Sequence, residues 1–209
     1  MATQLSLYNG ALRHLGQRRL ASISEDREAR YYLDDEYTDT FIYCLRQGFW
    51  NFAMRVVQID AEATAPTFGY SYKFVKPADW VKTRNISLNE SLDPPLIDYQ
   101  DQTGIWLADS TPLYVRYVST TDGLTPANFP TDYAYYVEAV LAQRIFKKVT
   151  GNGEDELIKF ERRVVKKALA TAKGNDAMDQ AVGTYPQGAW ASSRGGWGGE
   201  RGKRGQLIG

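Results

Sequence analysis

Residues 22–55, SISEDREARYYLDDEYTDTFIYCLRQGFWNFAMR, begin as a charged helix and end in a knot of aromatics. Ala29, Tyr32, Leu33, Tyr37, Thr40, Phe41, Cys44, Leu45 and Gly48 recur at three-and-four spacing, which predicts a helix with one broad buried face. Ser22 with Glu25 three residues on has the spacing of a capping box, and Ser24 is an alternative N-cap. Glu25, Asp26 and Glu28 then sit where the helix dipole favours negative charge. A helix over 25–47 would run roughly 35 Å at about 1.5 Å per residue. Gly48 stops it, and Phe49-Trp50-Asn51-Phe52-Ala53 sets three large aromatics where helix passes to sheet, the composition of a core junction.

Toward the N-terminus, Thr3 is placed to cap a first helix with the apolar face Leu5, Tyr8, Ala11, Leu12 and Leu15, stopped by Gly16. Toward the C-terminus the texture changes. Residues 55–59 read as a strand, and residues 68–74 alternate aromatic with small or polar side chains, as a half-buried strand does. Pro77-Ala78-Asp79-Trp80 reads as a turn able to start one helical turn. Further strands are expected over 83–88, 96–99, 105–108 and 113–118, with residues 109–112 as a hairpin turn between the last two. A third helix is expected over 133–149, capped by Thr131 or Asp132, with Tyr136, Val137, Val140, Leu141 and Ile145 facing inward. Thr150-Gly151-Asn152-Gly153 breaks it. Glu154-Asp155-Glu156 opens a fourth helix with the apolar side Leu157, Phe160, Val164, Val165, Ala168 and Ala172, ended or interrupted at Gly174-Asn175.

This order predicts an α+β fold: an antiparallel helical bundle of four helices (1–52 and 129–182), a small, mostly antiparallel β domain (53–128) inserted between helices two and three, and an extended C-terminal tail (183–209). Nine of the last 27 residues are glycine and apolar periodicity is lost there, so this arm is not expected to hold a fold alone. It nevertheless carries Tyr185, Trp190, Arg194, Trp197, Arg201, Lys203 and Arg204.

Composition narrows the function. The 25 basic and 25 acidic residues balance, so net charge points to neither nucleic acid nor membrane as a binding partner. Neither a signal peptide nor a membrane span is expected, since no apolar run is long enough. The single cysteine, Cys44, falls on the apolar face of the second helix and fits a reducing assembly environment. His14, the only histidine, has no Cys or second His at ligand spacing, so no metal or other cofactor is expected. The carboxylates Asp34, Asp35, Glu36 and Asp39 read as a charged helix face rather than an acid/base pair. Gly151-Asn152-Gly153 lacks the lysine-serine or lysine-threonine that a phosphate loop needs. The chain does not read as an enzyme.

Charge is uneven along the chain, however. The second helix carries Asp34, Asp35 and Asp39, and the fourth carries Lys159, Arg162, Arg163, Lys166 and Lys173. The basic face can pair with the acidic one inside the chain or across a subunit boundary, stay solvated, or meet nucleic acid.

Three stretches then carry a family resemblance: residues 8–16 (YNGALRHLG), residues 29–46 followed by Trp50-Asn51-Phe52-Ala53, and residues 113–118 (LYVRYV) followed by Phe129-Pro130. Together with the order of elements, they resemble the tail tubular protein A family, the head-to-tail adaptors of podovirus-type bacteriophages, over most of residues 5–170. The resemblance implies a structural ring, similar to dodecameric adaptors, that sits between the portal protein and the tail nozzle protein of the virion. Such a ring is assembled in the host cytoplasm, and DNA passes through its lumen without being read. In that setting Asp34, Asp35, Asp39, Lys159, Arg162, Arg163 and Lys166 are expected at the subunit interface. Tyr185, Trp190, Arg194, Trp197, Arg201, Lys203 and Arg204 are expected in a portal-docking arm. The alternative from another class is a glycan- or peptide-binding module using the aromatic-rich β insertion as a stacking platform.

Overall fold

The computed structural model describes residues 1–67 and 69–179, and Met1–Asp179 form one compact unit. The seven residues assigned to the docking arm lie outside the described residues. Helix α1 (Gln4–His14) starts from the expected cap: the Thr3 hydroxyl accepts the Ser6 N–H while the Ser6 hydroxyl accepts the Thr3 N–H. Helix α2 (Glu28–Arg46) buries Ala29, Leu33, Thr40, Phe41, Cys44 and Leu45, as its spacing predicts. It starts three residues later than expected. Arg27 is its N-cap, with no side-chain cap bond, and at 19 residues it runs about 28 Å. The cause is tertiary. Leu20 is buried, and Asn9 of α1 holds its backbone on both sides, accepting Leu20 N–H at 2.6 Å and donating to its carbonyl at 3.1 Å. Glu25 folds back onto Ala21 N–H at 2.7 Å, so residues 22–26 close a loop instead of a first helical turn.

At the helix exit Trp50 is 1 % exposed, donates to the Cys44 carbonyl at 3.0 Å and stands edge-on to Tyr133. Phe52 packs on Phe129 and Tyr133. A side chain at Gly48 would meet the Trp50 indole at 2.8 Å, so the helix stop is also a close approach.

Six strands follow in two antiparallel sheets. β1 (Met54–Ile59), β3 (Trp80–Ser87) and β6 (Leu113–Ser119) form one in the order β1-β6-β3. β2 (Tyr72–Val75), β4 (Gln100–Gln102) and β5 (Ile105–Ala108) form the other in the order β2-β5-β4. Residues 109–112 are therefore no hairpin: β5 and β6 lie in different sheets, and the chain crosses from one to the other. The strand expected from residue 68 begins only at Tyr72. Gly69 has a positive φ of 96°, and Ser71 gives both N–H and hydroxyl to Asp109. Residues 96–99 make no strand; Pro95 bridges Ser87 and Leu96 N–H bonds the Ile86 carbonyl, covering part of the β3 edge. Pro77–Asp79 is a turn straight into β3, with no helical turn. Along β6, Leu113, Val115 and Tyr117 face a core between the sheets with Phe74, Ile86 and Trp106, while Val118 joins the helical core.

A short helix α3 (Thr120–Gly123) and a 3₁₀ turn (Pro126–Asn128) return the chain to α4 (Thr131–Thr150). The N-cap of α4 is Pro130; Asp132 accepts from Asn175 at 2.6 Å instead of capping. Gly151 ends α4 with φ 68°. The expected fourth helix is one rod made of α5 (Glu154–Phe160), a π turn (Glu161–Val165) and α6 (Lys166–Met178). It runs past Gly174-Asn175, because Asn175 is tied to Asp132 and Asp176 accepts the Asn51 N–H at 2.8 Å. Helices α1, α2 and α6 all pack on α4. The protein is α+β, with an apolar core among helices and a second core between sheets.

Candidate functional site: an acidic helix face and a basic groove

Charged side chains on α2 divide by where the helix turns them. Asp34 faces inward: Tyr8 donates to it at 2.7 Å and Arg30 pairs with it. Burial, with Asp34 as acceptor, pushes the Tyr8 phenol well above its ordinary range. Glu36 pairs with Arg144 of α4 at 2.8 Å. Asp35 and Asp39 are exposed and have no ion pair among the described residues. They share the outer face with Tyr31, Thr38 and Ile42, spaced at three, four or seven.

The basic side chains lie on the α5–α6 rod, and all four interface candidates there are exposed. Lys159 pairs with Glu156 at 2.8 Å, and Lys166 with Glu161 at 3.5 Å. Arg162, Arg163 and Lys167 have no described carboxylate within ion-pair distance. Arg163 and Lys167 line a groove of about 380 Å³ against α4, with Val164, Ala168, Thr171, Asp132 and Tyr135. Sequence reasoning missed Lys167, although its spacing of four from Arg163 was the available signal. It also missed Tyr135 and the π turn, for which the sequence carries no local signal.

The acidic and basic faces do not meet within the chain. Tyr135 faces the groove and Arg144 reaches α2, and the nine residues between them amount to about two and a half turns, so the two lie on opposite sides of α4. The two charged faces flank α4 from opposite sides.

Other polar clusters serve the fold. Asp79 accepts from Ser119 at 2.5 Å, Arg55 at 2.8 Å, Tyr117 at 2.9 Å and Thr121 at 3.1 Å. Partial burial raises its carboxyl, but these four donors outweigh that and bring it to about 2. Lys76, almost fully buried, reaches Asp101 at 2.5 Å with its ammonium 3.8 Å from the Trp80 ring centre. Trp106 is wholly buried beside it. Glu138 lies in a second groove, of about 670 Å³, against Gly10 and pairs with Arg13 at 3.1 Å; burial pushes its carboxyl up and Arg13 draws it partly back. His14 stands edge-on to Tyr135 and Phe160 with its Nε2 buried and unpartnered. Among the described residues, no cluster of three or more His, Cys, Asp or Glu is suited to a metal, and no helix is long and apolar enough to cross a membrane. Compared with protein-family models and with curated proteins, the chain matches none.

Proposed function

We propose that this chain is a structural head-to-tail connector of a bacteriophage virion, a homo-oligomeric ring between portal and tail nozzle through which DNA passes unread. In this reading α1, α2, α4 and the α5–α6 rod are an antiparallel bundle forming the wall of the ring. Residues 53–128 are an inserted β domain, and residues 183–209 are the portal-docking arm. One observation supports a ring above all. Apart from Met178 at the end of α6, the large exposed apolar side chains on the described helices are Tyr31, Ile42 and Tyr43 on α2, and Tyr135 and Ile158 on the side of the rod. The first set accompanies the unpaired Asp35 and Asp39, with Arg46 one turn beyond Ile42. The second lies toward the unpaired Arg162, Arg163 and Lys167, with Asp132 on the groove wall held by Asn175; the two sets flank α4 on opposite sides. Two different complementary faces on one subunit make a head-to-tail contact, which closes into a ring when the rotation permits. A glycan- or peptide-binding platform has less support, because Trp106 is buried and Trp80 is covered by Lys76.

The test is imaging and sedimentation of the full chain, alone and with portal particles. Free protein should be monomeric or a small oligomer and should close rings on portals. Deleting residues 183–209 should leave the thermal transition nearly unchanged and abolish co-sedimentation, because Trp190 and Trp197 are the large anchors an interface favours. Wild-type occupancy by the truncated chain would remove the arm assignment. Absence of any ring with portals would remove the connector.

A further inference from the structure

We infer that the groove between α4 and α6 receives the outer face of α2 from a second copy of this chain; this rests on the ring-forming reading and names the seam it uses. The π turn helps to shape the acceptor. Arg163 and Val164 lie within Glu161–Val165, where the rod is locally widened, and both line the groove. Val164 and Ala168 give it an apolar floor, and Tyr135 stands on the α4 wall, 44 % exposed.

The cations of the groove and the aspartates of α2 match in spacing as well as sign, with the groove's one carboxylate, Asp132, held by Asn175. Arg163 and Lys167 are four residues apart on one helix, and Asp35 and Asp39 are four apart on the other. Four residues rise about 6 Å on either helix, so both pairs can close together. Tyr31 and Ile42 flank the two aspartates, and Tyr135, Val164 and Ala168 line the groove beside the two cations, so apolar surface meets apolar surface in the same docking. Within one subunit the contact is barred, since α2 and the groove lie on opposite sides of α4. The occupant is therefore a neighbour's α2, and because donor and acceptor faces differ, each added copy presents a fresh groove.

Disulfide trapping on the full chain assembled on portal particles tests this, since the free chain is expected to be monomeric or a small oligomer. Cys44 is fully buried and burial pushes its thiol up to about 12, so introduced cysteines are the reactive ones. One variant combines Thr171→Cys with Tyr31→Cys, and another combines Thr171→Cys with Ile42→Cys. Tyr31 and Ile42 are about 16 Å apart along α2, too far for both to reach one partner cysteine. On oxidation one of the two variants should give a ladder of covalent dimers, trimers and higher multiples, and which one does so reports whether the facing helices run parallel or antiparallel. The single-cysteine variants, and a Tyr31→Cys control paired with Arg19→Cys, which lines the other groove with Arg13 and Glu138, should give nothing above dimer. No ladder from either variant overturns the groove contact. Mass photometry of untreated protein, alone and with portal particles, then separates the two failures. Oligomers without a ladder remove this seam and leave the connector standing, including the case of an acidic segment of another protein in the groove. No oligomers in either sample removes the connector as well.

Discussion

The helical core and the core between the sheets are held by different physics. Among the helices the interior is aromatic and aliphatic, with Trp50, Phe52, Phe129, Tyr133 and Tyr136 packed at ring separations of 4.7–6.3 Å. Polar atoms there are left without partners, as at Thr40 Oγ1 and Tyr133 Oη. Around the sheets, short strands enclose only a small apolar cluster, and charge-assisted hydrogen bonds at Asp79 and Lys76–Asp101 fasten its margins. A long amphipathic helix removes enough apolar surface from water to tolerate an unpaired hydroxyl. The smaller cluster between the sheets removes less and leans more on ionised groups at its margins, although Arg116 Nε of β6 is also buried without a partner. The helical region should therefore answer to lost volume, and the sheet region to lost charge.

The largest expected effect is at Trp50. Trp50→Ala should cost about 3–5 kcal/mol by denaturant melting, the range of buried aromatic truncations. Trp50→Phe, which keeps a ring but loses the donor to Cys44, should cost about 1–2 kcal/mol. If the phenylalanine variant lost as much as the alanine variant, the hydrogen bond rather than packing would govern this core, and the contrast would collapse.

Asp79 comes next. Asp79→Ala should cost about 2–3 kcal/mol, since four donors lose one ionised acceptor. Its folded carboxyl lies at about 2, below the ordinary 3.8, so its contribution is complete above about pH 4 and is lost as pH falls through 4 toward 2. Asp79→Asn should flatten that acid limb in a pH series of melts. An unchanged limb would place the acid sensitivity elsewhere.

The smallest effect is at His14, inside the helical region. Burial, with a lesser push from Arg13, lowers its titration below 6.5, so the fold prefers the neutral ring. Stability should be full above about pH 6.5 and decline as pH drops through the lowered value. His14→Phe keeps the contacts with Tyr135 and Phe160, removes the unpartnered Nε2, and should be neutral or stabilising by about 0–1 kcal/mol with no such decline. A destabilised phenylalanine variant would show that the helical core does hold a polar bond there.

Much of the fold was legible from local pattern. The three-and-four spacing of Phe41, Cys44 and Leu45 and of Tyr136, Val137 and Val140 placed the buried faces of α2 and α4, and the strand expected over 113–118 is β6. Thr3 marked the start of α1 because a cap acts within one turn. The start of α2 was not legible, since it depends on Asn9 reaching Leu20 across a loop. Nor was the pairing of strands: β5 and β6 are neighbours in sequence, yet they belong to different sheets. For the candidate site, the sign and spacing of the charges could be read directly, whereas their availability could not. Asp34 and Asp35 are adjacent and chemically identical, and only the placement of Tyr8 and Arg30 draws one inward and leaves the other exposed. Periodicity is a property of a single helix or strand, so the sequence by itself determined which residues each element buries. Which elements meet, and so which charges remain free on opposite sides of α4, depends on contacts between residues far apart in the chain, and only the tertiary structure decided it.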